Sequence, residues 1–162
     1  MEIIEADARA WPAIWPFYRE IIEAGETIAY DPDLTPDQAR ELWIVAPPGH
    51  TAVAVDEDGT VLGSAHMEAN RPGRGAHVST ASFMVDPKHS GRGVGRALGR
   101  YALEWARAQG FRSMQFNAVV ETNVRAVGLW RSLGFEIIGT VPEAFDHPTH
   151  GYVGLHVMHR FL

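Results

Sequence analysis

Between Phe83 and Leu98 the chain reads Phe-Met-Val-Asp-Pro-Lys-His-Ser-Gly-Arg-Gly-Val-Gly-Arg-Ala-Leu: an apolar strand, a turn with glycines at 91, 93 and 95, then the start of a helix. No other stretch restricts the fold as tightly. Glycines let a backbone come close to a ligand and point successive N–H groups inward, and a helix start adds unpaired donors and a dipole that favours negative charge. A pyrophosphate fits such a turn. Two common pyrophosphate binders do not match it. A P-loop requires Gly-Lys-Ser/Thr, whereas Gly95 is followed by Arg96-Ala97. The dinucleotide fingerprint requires Gly or Ala three residues after its second glycine, whereas Gly93-x-Gly95 leads to Leu98 and Gly91-x-Gly93 to Arg96. ATP, GTP, NAD and FAD are therefore disfavoured.

Around this turn the periodicity predicts alternating elements. Glu2 to Ala6 reads as a strand. Trp11 to Glu23 carries Ile14, Phe17, Tyr18, Ile21 and Ile22 at helical spacing, with Pro12 in the first turn and Gly25 as the stop. Thr35-Pro36-Asp37-Gln38 has the form of a capping box and predicts a second helix. Thr51–Val55 and Val61–Asn70 form a hairpin about a turn at Asp56–Gly59, and Ala76–Val85 is a third strand. Val94, Leu98, Ala102, Trp105 and Ala106 share a face of the next helix, which Gly110 ends. Ser113–Val119 is a strand, Asn123–Leu133 a helix stopped at Gly134, and Phe135–Val141 and Gly151–Phe161 are the last strands. Hairpins mixed with crossover helices predict an α/β fold of the α+β kind: about seven strands in a mixed, mainly antiparallel sheet, with four helices on its two faces.

With 162 residues, 46% of them hydrophobic, the chain can bury one core, so a single domain over residues 1–162 is expected. A formal charge of −6 is the wrong sign for gripping a phosphate backbone broadly, which argues against nucleic acid. The chain has no cysteine, which excludes disulfides, thiolate metal sites and cysteine nucleophiles. No leader pattern or membrane-length apolar run occurs, so an unprocessed cytoplasmic protein is expected.

Ser90-Gly91-Arg92-Gly93-Val94-Gly95 resembles the coenzyme A signature R/Q-x-x-G-x-G/A of the GNAT superfamily, with Ser90 in place of Arg or Gln. The glycine cradle is intact, and the resemblance leaves Arg92 or Arg96 to replace the missing side-chain contact. Asn123 to Glu136 resembles that superfamily's N-x-x-A-x-x-L-Y-x-x-x-G-F segment, at the right spacing from the first motif. The resemblance implies a GNAT-like fold, acetyl-coenzyme A as co-substrate and no metal. It also implies cofactor contacts from Met84, Val85, Gly91, Arg92, Gly93, Val94, Gly95, Arg96, Asn123 and Trp130. Trp130 stands where the family often has a tyrosine that protonates the leaving thiolate, and an indole N–H cannot do so. The segment Gln115–Asn123 is also similar to the F-N-x-V-x-x-x-N run of fungal acetyltransferases that act on proline analogues such as azetidine-2-carboxylate. That likeness places Asn117 at the reaction centre, and puts Thr80 where the branch has a second Asn.

The implied reaction is attack of a neutral amine on a thioester. Backbone N–H near Met84 or Val85 is the candidate for the oxyanion, and Glu26, Glu68, His66, Glu143, Asp146 and His147 are candidate bases, among which the residues do not choose. With no tyrosine at 130, water, the substrate's own ammonium or a group positioned by Asn117 must protonate the thiolate. Pro142 to Pro148 reads as a pocket-lining loop that includes Phe145, joined by Tyr30 from the early loop, and the first fifty residues are where such proteins build the acceptor pocket. The substrate set is thus Tyr30, Glu26, Glu68, Thr80 and Phe145. His156 and His159 fall on opposite faces of a strand and no third ligand sits at a characteristic spacing, so a metal is not expected. The expected function is acetyl transfer to the amine of a small molecule: an amino acid, an amino-acid analogue or an amine antimicrobial. A coenzyme A-binding sensor without turnover, favoured by Trp130, and a protein acetyltransferase with an open groove are the alternatives. A homodimer is what the superfamily's frequent pairing implies.

Overall fold

The computed structural model describes residues 1–162. In chain order the elements are β1 (Glu2–Glu5), α1 (Trp11–Ala24), α2 (Pro36–Trp43), β2 (His50–Val55), β3 (Val61–Ala69), β4 (Val78–Val85), α3 (Val94–Ala108), β5 (Ser113–Val120), α4 (Val124–Ser132), β6 (Glu136–His147) and β7 (Gly151–Phe161). The strands form one seven-stranded sheet in the order β1-β2-β3-β4-β5-β7-β6. Every neighbouring pair is antiparallel except β4 and β5. The mixed, mainly antiparallel sheet expected from the sequence is therefore present.

Alternation along the central strands divides the core in two. Ala52 and Ala54 of β2 face a cluster with Val94, Leu98, Ala102 and Ala106 of α3, and Trp130 and Leu133 lie in the same cluster. Val53, between them, faces the opposite layer, where Trp11, Ile14, Phe17, Tyr18 and Ile22 of α1 meet Ala39 and Trp43 of α2. Local chemistry fixes the helix ends. Gly25 adopts φ +65° and stops α1, and Thr35 and Gln38 form both bonds of the capping box at α2. Trp43 Nε1 then donates to Ser64 Oγ at 2.9 Å, and Ser64 donates to the Ala52 carbonyl at 2.9 Å, which pins α2 to the sheet.

Two glycines one turn apart on α3 let α4 come close. A methyl built on Gly95 would stand 3.3 Å from Leu129 Cδ2, and one on Gly99 only 2.7 Å from Leu133 Cδ1 and 3.0 Å from Trp130 Cζ3. That approach aims the start of α4 toward the glycine-rich turn.

The segment after Val141 is a strand and not the loop expected from its composition. A bulge between Val141 and Phe145, with Glu143 at φ +50°, lets β6 resume pairing: Phe145 opposes Val153 and His147 opposes Gly151. Burial of Phe145 against Val120 and Val153 drives this extension, and only Pro148–His150 remains as the turn.

Candidate active site

β4 and β5 pair only at Val78 with Ser113 and Ser79 with Met114, although β4 runs on to Val85 and β5 to Val120. Beyond those residues the two parallel strands diverge, leaving facing edges in the middle of the sheet with no ladder between them. Such an opening offers backbone donors and acceptors to an extended ligand. Met84 and Val85 border it on one side.

The wedge opens toward the glycine-rich turn. Gly91 and Gly93 both have φ +81°, and a methyl on either would meet nothing within 4 Å, so glycine is required there by backbone conformation and the space beside it is open. From Gly91 through Arg96 no backbone N–H has a partner within the protein; the first bond in the helix start runs from Ala97 N to the Gly93 carbonyl, at 3.0 Å. This row of free donors at the start of α3 is an anion cradle. Val94 contributes its N–H to the row while its side chain is buried in the core.

Across the wedge, Asn123 caps α4 with its Oδ1, which accepts from Ala126 N at 3.2 Å and leaves the side-chain amide N–H groups free. The Thr122 hydroxyl beside it is buried and has no partner. A cradle of unpaired N–H groups, an unpaired strand edge and an orphaned hydroxyl together fit a ligand with phosphates at one end and an amide-bearing arm at the other. Coenzyme A has that form.

The sequence-predicted residues divide here. The Arg92 guanidinium pairs with Asp56 at 2.9 Å, and its backbone N–H belongs to the row. Arg96 is exposed on the first turn of α3. Trp130 is 7% exposed and packs on Phe83 and Phe116, with ring centroids 4.6 and 4.9 Å away, so its ring belongs to the core.

On the α1–α2 face of the sheet, polar residues of three strands line up. His66 opposes Ser82 and Glu68 opposes Thr80 in the β3–β4 register. Asn117 of β5 donates from Nδ2 to Asn70 Oδ1 at 2.6 Å and accepts at Oδ1 from Gln115 at 2.8 Å. Above them the Tyr30 hydroxyl lies 3.5 Å from His66 Nε2. Burial pushes the Tyr30 phenol above its ordinary pKa; the Ser82 hydroxyl pulls the other way, and the Glu68 carboxylate adds to the rise. Burial lowers His66 to about 4, so its ring is neutral near pH 7, and its Nδ1 is buried without a partner. Tyr30, His66, Glu68, Thr80 and Asn117 are thus brought onto one surface.

Other expected pocket residues lie elsewhere. Phe145 is a packing residue of the β6–β7 arm, 7% exposed, and not a free pocket wall. Its neighbours Glu143 and Asp146 are exposed on β6. His147 Nδ1 accepts from Thr149 N at 3.2 Å and His150 N at 3.3 Å and so holds the hairpin turn. Glu26 is exposed just past the end of α1, in a region the hairpin tip approaches: a methyl on Gly25 would stand 3.9 Å from Pro148 Cδ. Sequence reasoning passed over Ser82, Asn70 and Thr122. Alternation along β4 could have found Ser82 beside Thr80, but nothing local marks Asn70 as the partner of a residue 47 positions away.

The family model described as Acetyltransferase (GNAT) family matches residues 8–135, more than half of the chain. A solved structure of a GCN5-related N-acetyltransferase from Kribbella flavida is 65% identical, covers 99% of this chain and 97% of its own, and superposes with a TM-score of 0.97. The N-acetyltransferase aca1 of Schizosaccharomyces pombe is 30% identical over 84% of this chain and 72% of its own. The L-methionine sulfoximine/L-methionine sulfone acetyltransferase of Pseudomonas paraeruginosa is 34% identical over 87% and 83%. No helix is long and apolar enough to cross a membrane.

Proposed function

Since the chain belongs to the acetyltransferase (GNAT) family and is an acetyl-coenzyme A-dependent N-acetyltransferase, we propose that its acceptor is the primary amine of a small, amino-acid-like molecule. The carrying observation is the set of polar side chains that share the acceptor face, Tyr30, His66, Glu68, Thr80 and Asn117. Tyr30 lies over the strands with its hydroxyl 3.5 Å from His66 Nε2, while Glu68 and Asn117 stay exposed, which gives the amine of a small acceptor a carboxylate and a side-chain amide to meet. The likeness to an enzyme named for L-methionine sulfoximine and L-methionine sulfone supports an amino-acid-sized acceptor. So does Arg71, held by its Nη1 on the Asn70 carbonyl at 2.8 Å, where a cation at the rim can meet a carboxylate.

Acetyl-coenzyme A supplies the thioester, with its phosphates assigned to the N–H row of Gly91–Arg96 and its arm to the wedge beside Met84, Val85, Asn123 and Thr122. The amine nitrogen bonds to the acetyl carbon as the carbon–sulfur bond breaks, one proton leaves nitrogen, and one is taken up by sulfur. Asn117, fixed between Gln115 and Asn70, orients the amine through its side-chain amide. Of the two candidate bases that share a face with Asn117 and Tyr30, Glu68 and His66, the exposed Glu68 takes the proton directly or through water. His66, held neutral, keeps the Tyr30 hydroxyl in place, and neither group charges near pH 7.

The test is thiol release from acetyl-coenzyme A across a panel of amino acids, proline analogues, methionine sulfone, polyamines, amine antibiotics and lysine-bearing peptides, with cofactor binding measured by calorimetry. Turnover confined to amino-acid-like acceptors is the expected result. Turnover with peptides alone would sink the small-molecule reading.

A further inference from the structure

A cationic side chain from a different helix reaches the loop beside the free N–H row. At the loop position where a family resemblance expects Arg or Gln stands Ser90, and Arg92, next on the loop, is engaged by Asp56. The Ser90 hydroxyl instead accepts from Arg125 Nη1 at 3.2 Å, across 35 positions of sequence. Arg125 is the second residue of α4, whose first turn holds no acidic residue, and its guanidinium pairs with no carboxylate. A cation there opposes the helix dipole, so this position is unfavourable until an anion arrives. The unpaired N–H groups of Gly91–Arg96 begin at the residue after Ser90.

We propose that Arg125, steered by Ser90, binds the phosphates of coenzyme A and takes over the role of the cation missing from the loop. This rests on the coenzyme A reading of the cradle. Relocation changes what the loop can do: a guanidinium on α4 approaches the phosphates from across the wedge, so cofactor binding ties α4 to the start of α3. An arginine rooted on the loop itself would not join the two helices.

Calorimetry with acetyl-coenzyme A on wild type, Arg125→Ala and Arg131→Ala tests this, since Arg131 lies in the last turn of the same helix. Arg125→Ala should raise Kd about tenfold and flatten its salt dependence by about one charge, the scale of a charge-assisted contact. Arg131→Ala should stay within about twofold of wild type. The apo Tm of Arg125→Ala should not fall, because the arginine opposes the dipole. Adding Ser90→Arg to Arg125→Ala should recover most of the affinity. With 3′-dephospho-coenzyme A, a loss that persists assigns the diphosphate, and one that vanishes assigns the 3′-phosphate. Wild-type affinity in Arg125→Ala overturns the proposal, and so does a loss of apo stability that accounts for the weaker binding. A wild-type protein that binds no acetyl-coenzyme A defeats the cradle reading itself.

Discussion

Tyr30 and His66 meet hydroxyl to imidazole, 3.5 Å apart, and so join the loop between the first two helices to the strand that floors the acceptor face. Deleting that hydroxyl in Tyr30→Phe removes one hydrogen bond and leaves the ring stacked near Tyr18, whose centroid is 6.2 Å away. The expected outcome is a loss of about tenfold in kcat/KM for the amine, the scale of one hydrogen bond to a partly buried group. Kd for acetyl-coenzyme A should not move. Steady-state kinetics beside calorimetry would separate the two, and an unchanged kcat/KM would remove Tyr30 from the acceptor site.

His66 makes stability depend on pH. Its folded pKa, about 4, lies below the ordinary value of 6.5. Between those values the unfolded chain holds a proton that the buried ring refuses, so stability falls as pH drops through that window. The change from about pH 7 to about pH 5 is on the order of 2 kcal/mol for this group. Urea midpoints of wild type and His66→Gln at both pH values give the difference. The variant should lose less stability on acidification than wild type does, and equal losses would contradict the buried neutral ring.

Asn117 is tied to Asn70 and Gln115, and Asn117→Ala breaks both ties. We expect kcat/KM to fall by about 10- to 100-fold, the size of a lost orienting contact at a reaction centre. Acetyl-coenzyme A affinity should hold within about twofold. A drop in cofactor affinity that matches the drop in rate would show Asn117 to be a wall of the wedge and not an acceptor residue.

Gly99 lies where α3 and α4 cross. A methyl there would be 2.7 Å from Leu133 Cδ1 and 3.0 Å from Trp130 Cζ3, so Gly99→Ala should cost about 1–3 kcal/mol through overpacking. Helix propensity alone would reward the change. A denaturation midpoint that rises in the variant would mean that α4 can move off α3 freely.

Much of this was legible because the chemistry is local. The capping box at Thr35 and Gln38, the stop at Gly25, the alternation of β2 and the spacing of Gly91, Gly93 and Gly95 each depend on residues within a few positions of one another. Pro142 to Pro148 misled for the same reason. Proline and acidic residues suggest a loop, and only pairing with Gly151–Val153 and burial of Phe145 against Val120 made it a strand. The partner of the Arg92 side chain was not legible, because Asp56 lies 36 positions away in another turn.

The sequence by itself determined that a strand, a glycine turn and a helix would present a row of backbone donors, since φ preference and helix-end chemistry are properties of neighbouring residues. Only the tertiary structure decided which side chains serve that row and the face beyond it. Arg125 reaches Ser90 because α4 settles onto Gly95 and Gly99, while Tyr30 reaches His66 from the loop after α1 and Asn117 on β5 reaches Asn70 at the end of β3. Those pairings follow from strand order and helix approach, to which every element contributes and which no single segment encodes.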